Sequence, residues 1–224
     1  MQPRLVEVRQ KVLKQNDILA RELRSGFAAS GTFVVSLVSS PGTGKTEFLE
    51  KTLSALMPRA NVAALVGDLA TANDAARLAR AGVPVHQITT GTICHLDAQM
   101  VSTALEQLTV DELEILFIEN VGNLVCPASY DLGENLRIVL MSVTEGEDKP
   151  LKYPTIFNTA DVAVITKMDL ADAVGFDVEA ARKSIDSVRS GMRILEVSAK
   201  TGAGMDAWLE FLNQQKTLRV AAAA

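Results

Sequence analysis

Four short stretches of this 224-residue chain carry residue types that do chemistry. The first is Ser39-Ser40-Pro41-Gly42-Thr43-Gly44-Lys45-Thr46. A phosphate-binding loop follows the pattern glycine, four residues, then Gly-Lys-Ser/Thr. Here Gly44-Lys45-Thr46 is intact, and Ser39 stands where the first glycine is expected. Backbone N–H groups from Ser40, Gly42, Thr43 and Gly44 can wrap an anion, and the N-terminus of a following helix adds its dipole. Lys45 would reach the outer phosphates as a point charge, and the Thr46 hydroxyl would bind Mg²⁺. The plainer alternative is a glycine-rich turn between strand and helix with a surface lysine.

The second stretch, Thr166-Lys167-Met168-Asp169, resembles the Asn/Thr-Lys-x-Asp motif that selects guanine. A carboxylate accepts two hydrogen bonds from guanine N1–H and the exocyclic amine, an arrangement adenine does not offer. The lysine stem would lie along the base. Downstream, Ser198-Ala199-Lys200 looks like the second guanine-contacting loop, whose backbone amide reaches the guanine O6. For Lys167 and Asp169 the plainer alternative is a solvated turn.

The third stretch is Glu119-Asn120-Val121-Gly122, which stands where such proteins usually carry Asp-x-x-Gly. Glu119 can bind Mg²⁺ through water, and the Gly122 amide can donate to the γ-phosphate. Asp68 is a second candidate for the Mg²⁺ shell. Asp74 has two readings of equal weight: a favourable charge at a helix N-terminus, or a group that positions the attacking water. No arginine is placed by spacing as an in-cis finger, so slow turnover is expected.

The fourth is Cys94-His95 together with Cys126. Two thiolates and an imidazole suit Zn²⁺ or Ni²⁺. Three ligands leave a tetrahedral site short, and a symmetric dimer could complete it. Spacing alone favours a buried thiol beside a histidine that caps the helix from 96. His86 lies in a strand pattern and reads as structural.

These stretches need a scaffold. Apolar, β-branched runs at 33–38, 62–66, 84–88, 114–118, 136–141, 162–165 and 193–197 read as strands. Their near-continuous apolar character predicts burial on both faces of a parallel sheet. Helical patterns at 5–29, 45–57, 72–81, 96–108, 177–190 and 204–214 alternate with them. Pro58 stops the second helix and Gly82 caps the third. The fold expected is a doubly wound α/β P-loop domain with helices on both faces of the sheet and an N-terminal helix. It divides into an N-terminal helix (1–30), a G domain (31–214) and a fraying tail (215–224). Residues 144–154, polar and proline-punctuated, read as an exposed loop.

The totals narrow the field. Hydrophobic residues are 48%, charged residues 22% and the net charge is −5, so a nucleic acid partner is not expected. No run approaches the roughly 18 apolar residues of a membrane span. The N-terminus lacks a signal-peptide layout. Two cysteines are too few for a disulfide scaffold, and a soluble cytoplasmic protein is expected.

Taken together, the four stretches, Gly67-Asp68 and 147–154 make the chain similar to the hydrogenase nickel-incorporation GTPases, the HypB family. The likeness runs from about residue 8 to residue 214. It implies a dimerising P-loop GTPase that hydrolyses GTP to GDP, with Mg²⁺, while nickel is delivered to the large subunit of a nickel–iron hydrogenase. It implies a homodimer, a small zinc-containing chaperone (HypA) as partner, and the N-terminal helix as its docking element. It also assigns Cys94, His95 and Cys126 to a nickel or zinc site near the dimer interface, against the reading from spacing. Residues 1–30 hold no Cys and no His, so the tight N-terminal nickel site of some members is not expected. The related urease accessory GTPases (UreG) pair Cys with His as Cys-Pro-His, which is not matched here. A passive metal-binding protein on a P-loop fold is opposed by the intact Lys45, Thr46, Lys167 and Asp169.

Overall fold

Strand formation follows the apolar runs. The structure, a computed structural model, describes residues 4–69, 73–108, 110 and 112–223. Within these residues seven strands form: β1 (Phe33–Ser39), β2 (Val62–Asp68), β3 (Val85–Thr89), β4 (Ile115–Glu119), β5 (Leu136–Ser142), β6 (Val162–Thr166) and β7 (Arg193–Glu196). All pair in parallel, in the order β3-β2-β4-β1-β5-β6-β7. The chain runs outward from β1 to one edge, returns to β4, then runs from β5 to the other edge. Open sheets of this kind bind ligands outside the carboxyl ends of the strands, where the order reverses.

Alternate residues of each strand feed opposite faces. Phe33, Val35 and Leu37 pack with Phe48, Leu53, Trp208 and Leu212 on one face. These come from α2 (Lys45–Leu56) and α9 (Met205–Ala223), with α3 (Asn73–Leu78) beside them. Val34, Leu65 and Leu116 face the other way, against Phe27 of α1 (Arg4–Ser30) and Val101 and Ala104 of α4 (Ala98–Leu105). On that side Val139, Met141 and Ala163 cover Ile156 and Phe157 of α6 (Pro154–Thr159) and Ala181 and Ile185 of α8 (Val178–Val188). The expected fold class, doubly wound α/β with an N-terminal helix, is the one observed.

Two elements differ from expectation. The stretch 144–154 holds α5 (Lys149–Lys152) and the start of α6, not a loop throughout. Pro150 and Pro154 each sit in the first turn of these helices. There the missing N–H costs nothing and the fixed φ suits helix. The final helix continues to Ala223, across the boundary expected at 214. Gln, Lys, Leu, Arg and Ala are strong helix formers, and Lys216 and Arg219 pair with Glu114 and Asp161 at the amino ends of β4 and β6. A short helix α7 (Ala171–Val174) also follows β6. No described helix is long and apolar enough to cross a membrane.

Candidate functional site

The phosphate loop leaves the carboxyl end of β1 and enters α2 through Gly44, which sits at φ 96° as the residue before the helix. Side chains other than glycine avoid that backbone region. Ser39 is still in the strand, where no glycine is required, and its Oγ accepts a hydrogen bond from Lys45 Nζ at 3.2 Å. The serine at the consensus glycine position therefore holds the lysine of the loop. Lys45 Nζ also lies 3.8 Å from Glu119 Oε1, and both side chains are buried. Thr46 Oγ1 donates to the same Glu119 oxygen at 2.7 Å.

Burial pushes the Glu119 carboxyl above its ordinary range, against the opposing pull of Lys45 and the Thr46 hydroxyl. Its Oε2 is buried without a hydrogen-bond partner among the described residues. A buried, unsatisfied carboxylate oxygen beside a threonine hydroxyl is a hard-oxygen set of the kind Mg²⁺ takes. Asp68 ends β2 and, with Asp74 at the start of α3, lines the same cavity of about 510 Å³ as the phosphate loop, Val121 and Gly122. Residues 70–72, between the two aspartates, lie outside the described set. Gly122 packs directly on the loop: a Cβ there would stand 3.0 Å from Pro41 Cα and N.

Sequence spacing missed Arg77. It lines this cavity from α3 and is held by Glu50 (2.8 Å) and Glu47 (3.2 Å) of α2. It also missed Glu145, whose Oε1 lies 2.8 Å from the Thr43 hydroxyl and whose Oε2 accepts from the Ser142 amide. The Arg77–Glu50 and Thr43–Glu145 contacts join residues 27 and 102 positions apart, beyond any local pattern.

A second cavity, of about 150 Å³, adjoins the first. Gly44, Phe48, Lys167, Asp169, Leu170, Ala199 and Lys200 are among its walls. Lys167 takes a left-handed turn at φ 58° and donates to Gly42 O at 2.7 Å. Thr166 Oγ1 donates to Thr43 O at 2.7 Å. Ser198 Oγ donates to Asp169 Oδ1 at 2.6 Å, which fixes the carboxylate. The two stretches read separately from the sequence thus form one base-sized slot, bolted to the phosphate loop.

The cysteines come together. Cys94 Sγ and Cys126 Sγ are 3.2 Å apart. One ligand atom each from Cys94, His95 and Cys126 can be chosen within 4.8 Å of one another. The His95 ring stacks on Tyr130 at 4.0 Å between centroids, and its Nδ1 is buried without a hydrogen-bond partner among the described residues. Burial lowers the His95 pKa, which keeps the imidazole neutral, the form that ligates. The Cys126 contact and burial raise the Cys94 thiol. The helix cap expected of His95 is instead Asp97, whose carboxylate accepts from Met100 N at 2.8 Å. Freed from that task, His95 fits a soft N/S metal site. His86 lies on edge strand β3, paired with Leu65, and takes no part.

One segment joins the two sites. Asn120 Oδ1 accepts from Leu96 N (3.0 Å), and Asn123 Nδ2 donates to Cys94 O (3.1 Å). The stretch from Glu119 to Cys126 therefore touches the phosphate cavity at one end and the thiols at the other.

Known proteins resemble this chain in sequence and fold. The family model for the CobW/HypB/UreG nucleotide-binding domain matches residues 33–196. The hydrogenase maturation factor HypB of Azotobacter chroococcum is 48% identical over 99% of this chain and 72% of its own length. The Escherichia coli K12 factor of the same name is 48% identical over 96% of this chain and 74% of its own. The chain belongs to the HypB family. A crystal structure of HypB from Helicobacter pylori in complex with nickel superposes with a TM-score of 0.87 at 40% identity, covering 92% of this chain and 97% of that one. The signal recognition particle 54 kDa protein of Aeropyrum pernix, 16% identical with a TM-score of 0.56, shares the fold alone. HypB-family membership places the chain among P-loop GTPases, with the family's nucleotide-binding domain matched over residues 33–196.

Proposed function

We propose that this chain is a GTP-hydrolysing factor for nickel insertion during maturation of a nickel–iron hydrogenase. The observation that carries the reading is the shared segment Glu119–Cys126, which borders the phosphate cavity and ends on a thiol of the Cys94–His95–Cys126 cluster. In this reading Lys167, Asp169 and the Ser198-Ala199-Lys200 loop select guanine. Ser40, Gly42, Thr43, Gly44 and Lys45 hold the phosphates. Thr46, Glu119 and Asp68 would hold Mg²⁺, which would supply positive charge against the phosphates. Asp74 orients the water that attacks the γ-phosphorus, and the bond to the β-bridging oxygen breaks to leave GDP and phosphate. Gly122 reports the γ-phosphate through its amide, and Cys126 follows it, so hydrolysis alters the grip on nickel or zinc. The same reading makes the protein a homodimer that works in the cytoplasm, receives metal with a HypA-like chaperone docked on α1, and passes it to the hydrogenase large subunit.

Two measurements on the purified chain test it. Lys45→Ala is expected to lower GTP hydrolysis at least about a hundredfold, as removal of a phosphate-stabilising charge does. Equal rates in the two proteins would sink the enzymatic part. Cys94→Ala with Cys126→Ala is expected to lose nickel binding and keep GTP binding. Unchanged nickel affinity would remove the metal part.

A further inference from the structure

Asn16 is an unusual residue for its position. It sits in the interior of α1, where asparagine is a weak helix former, yet it is buried, 7% exposed. Both ends of its amide are occupied. Nδ2 donates to Asp131 O at 2.9 Å, and Oδ1 accepts from Ala98 N at 2.9 Å. Ala98 opens α4, so its N–H has no partner inside that helix.

The two partners belong to the two pieces of chain that carry the metal-type ligands. Ala98 lies three residues after His95. Asp131 lies five residues after Cys126, just past the short 3₁₀ turn Cys126–Ser129 and Tyr130, whose ring covers His95. Asp131 is anchored to α1 a second time, by Arg24 at 2.6 and 2.8 Å. Gly133 packs against Ala20 and Leu23 so closely that a Cβ there would lie 2.9 Å from each. On the opposite side, Asn120 and Asn123 tie the Cys94–Leu96 run to the segment that leads from Glu119.

We propose that Asn16 is a positioning residue for the Cys94–His95–Cys126 cluster: its single amide sets the separation of the His95 and Cys126 loops and couples the cluster to α1. A helix cap alone would need only the bond to Ala98. The second bond, to the Cys126 side, is the one that a cap does not explain. The inference rests on the reading of the cluster as a metal site. Outer-shell groups that orient ligands typically change metal affinity by about 10- to 100-fold when lost.

The test uses the full chain without nucleotide and Co²⁺ as probe, read by thiolate-to-cobalt charge-transfer absorption and by titration. Asn16→Leu is expected to weaken Co²⁺ binding about tenfold and to alter the charge-transfer band, while guanine-nucleotide affinity stays as in the wild type. Asn16→Asp keeps an acceptor for Ala98 but cannot donate to Asp131, so it is expected to fall between the two. It also serves if the leucine variant does not fold. Thr52→Val removes a buried hydroxyl bonded to Trp208 on the other face of the sheet and controls for general destabilisation. Wild-type Co²⁺ affinity and spectrum in Asn16→Leu or Asn16→Asp would overturn the proposal. So would an equal loss in Thr52→Val. If Cys94→Ala with Cys126→Ala binds Co²⁺ like the wild type, the metal reading itself falls and takes this inference with it.

Discussion

Glu119 shows what a buried carboxyl can cost the fold. It is one of the most deeply buried carboxyls described, 2% exposed, and burial raises its pKa despite Lys45 at 3.8 Å. A group whose folded pKa lies above its unfolded value, here 4.5, gives its full stabilisation below that value and loses it as pH rises through the folded pKa. The nucleotide-free protein is therefore expected to lose stability as pH climbs from 4.5. Glu119→Gln, which cannot ionise, is expected to flatten that slope. Urea midpoints against pH for both proteins check this, and parallel curves would refute it. At this scale the sequence was legible wherever a short run carries its own chemistry, as in Gly44-Lys45-Thr46 or Thr166-Lys167-Met168-Asp169. It was silent on Asn16, Arg77, Asn123 and Glu145. Their types are ordinary, and their partners lie 27 to 115 positions away in the chain. The Cys94–Cys126 meeting was equally hidden in the spacing, and only the resemblance to a family brought it forward.

Among the elements, α9 holds the phosphate-loop helix in place from behind. Trp208 is fully buried, stacks on Phe48 of α2 at 5.1 Å, and donates its indole N–H to Thr52 Oγ1 at 2.9 Å. Thr52 in turn donates to Phe48 O. Truncating such a side chain removes its contacts and leaves a cavity that rigid neighbours fill only in part. Trp208→Ala is expected to cost about 3–5 kcal/mol, with GTP affinity falling as α2 loosens. Chemical denaturation gives the first quantity and nucleotide titration the second. A loss under about 1 kcal/mol would mean that α9 is not a structural support. Strands were the most legible elements, because burial on both faces leaves a continuous apolar signature. The stretch 149–159 was the least legible. Its prolines read as breakers, and only their placement in the first turns of α5 and α6 turns that signal round.

For the whole molecule, the half-buried Cys94–His95–Cys126 cluster lies close to the surface, beside the exposed Val125. Two thiols and one imidazole leave at least one position of a four-coordinate ion open. A two-fold partner bringing its own set would close it. Solution mass measured with and without a non-hydrolysable GTP analogue, each with and without Ni²⁺, is expected to show about twice the monomer mass when the analogue is present, with Ni²⁺ strengthening the association. A monomer in all four conditions would refute this. The contact between Gly122 and Pro41 carries a consequence for how such proteins diversify. With only a tight fit for a methyl group between the phosphate loop and the run that leads to Cys126, that side of the Cys94–His95–Cys126 cluster shares the constraints of the phosphate loop. Variation in metal preference has its freedom on the other side, around His95, Tyr130 and the α1 contacts. An engineer retuning the ion would begin there, and a lineage drifting toward a new cargo would leave its substitutions there first.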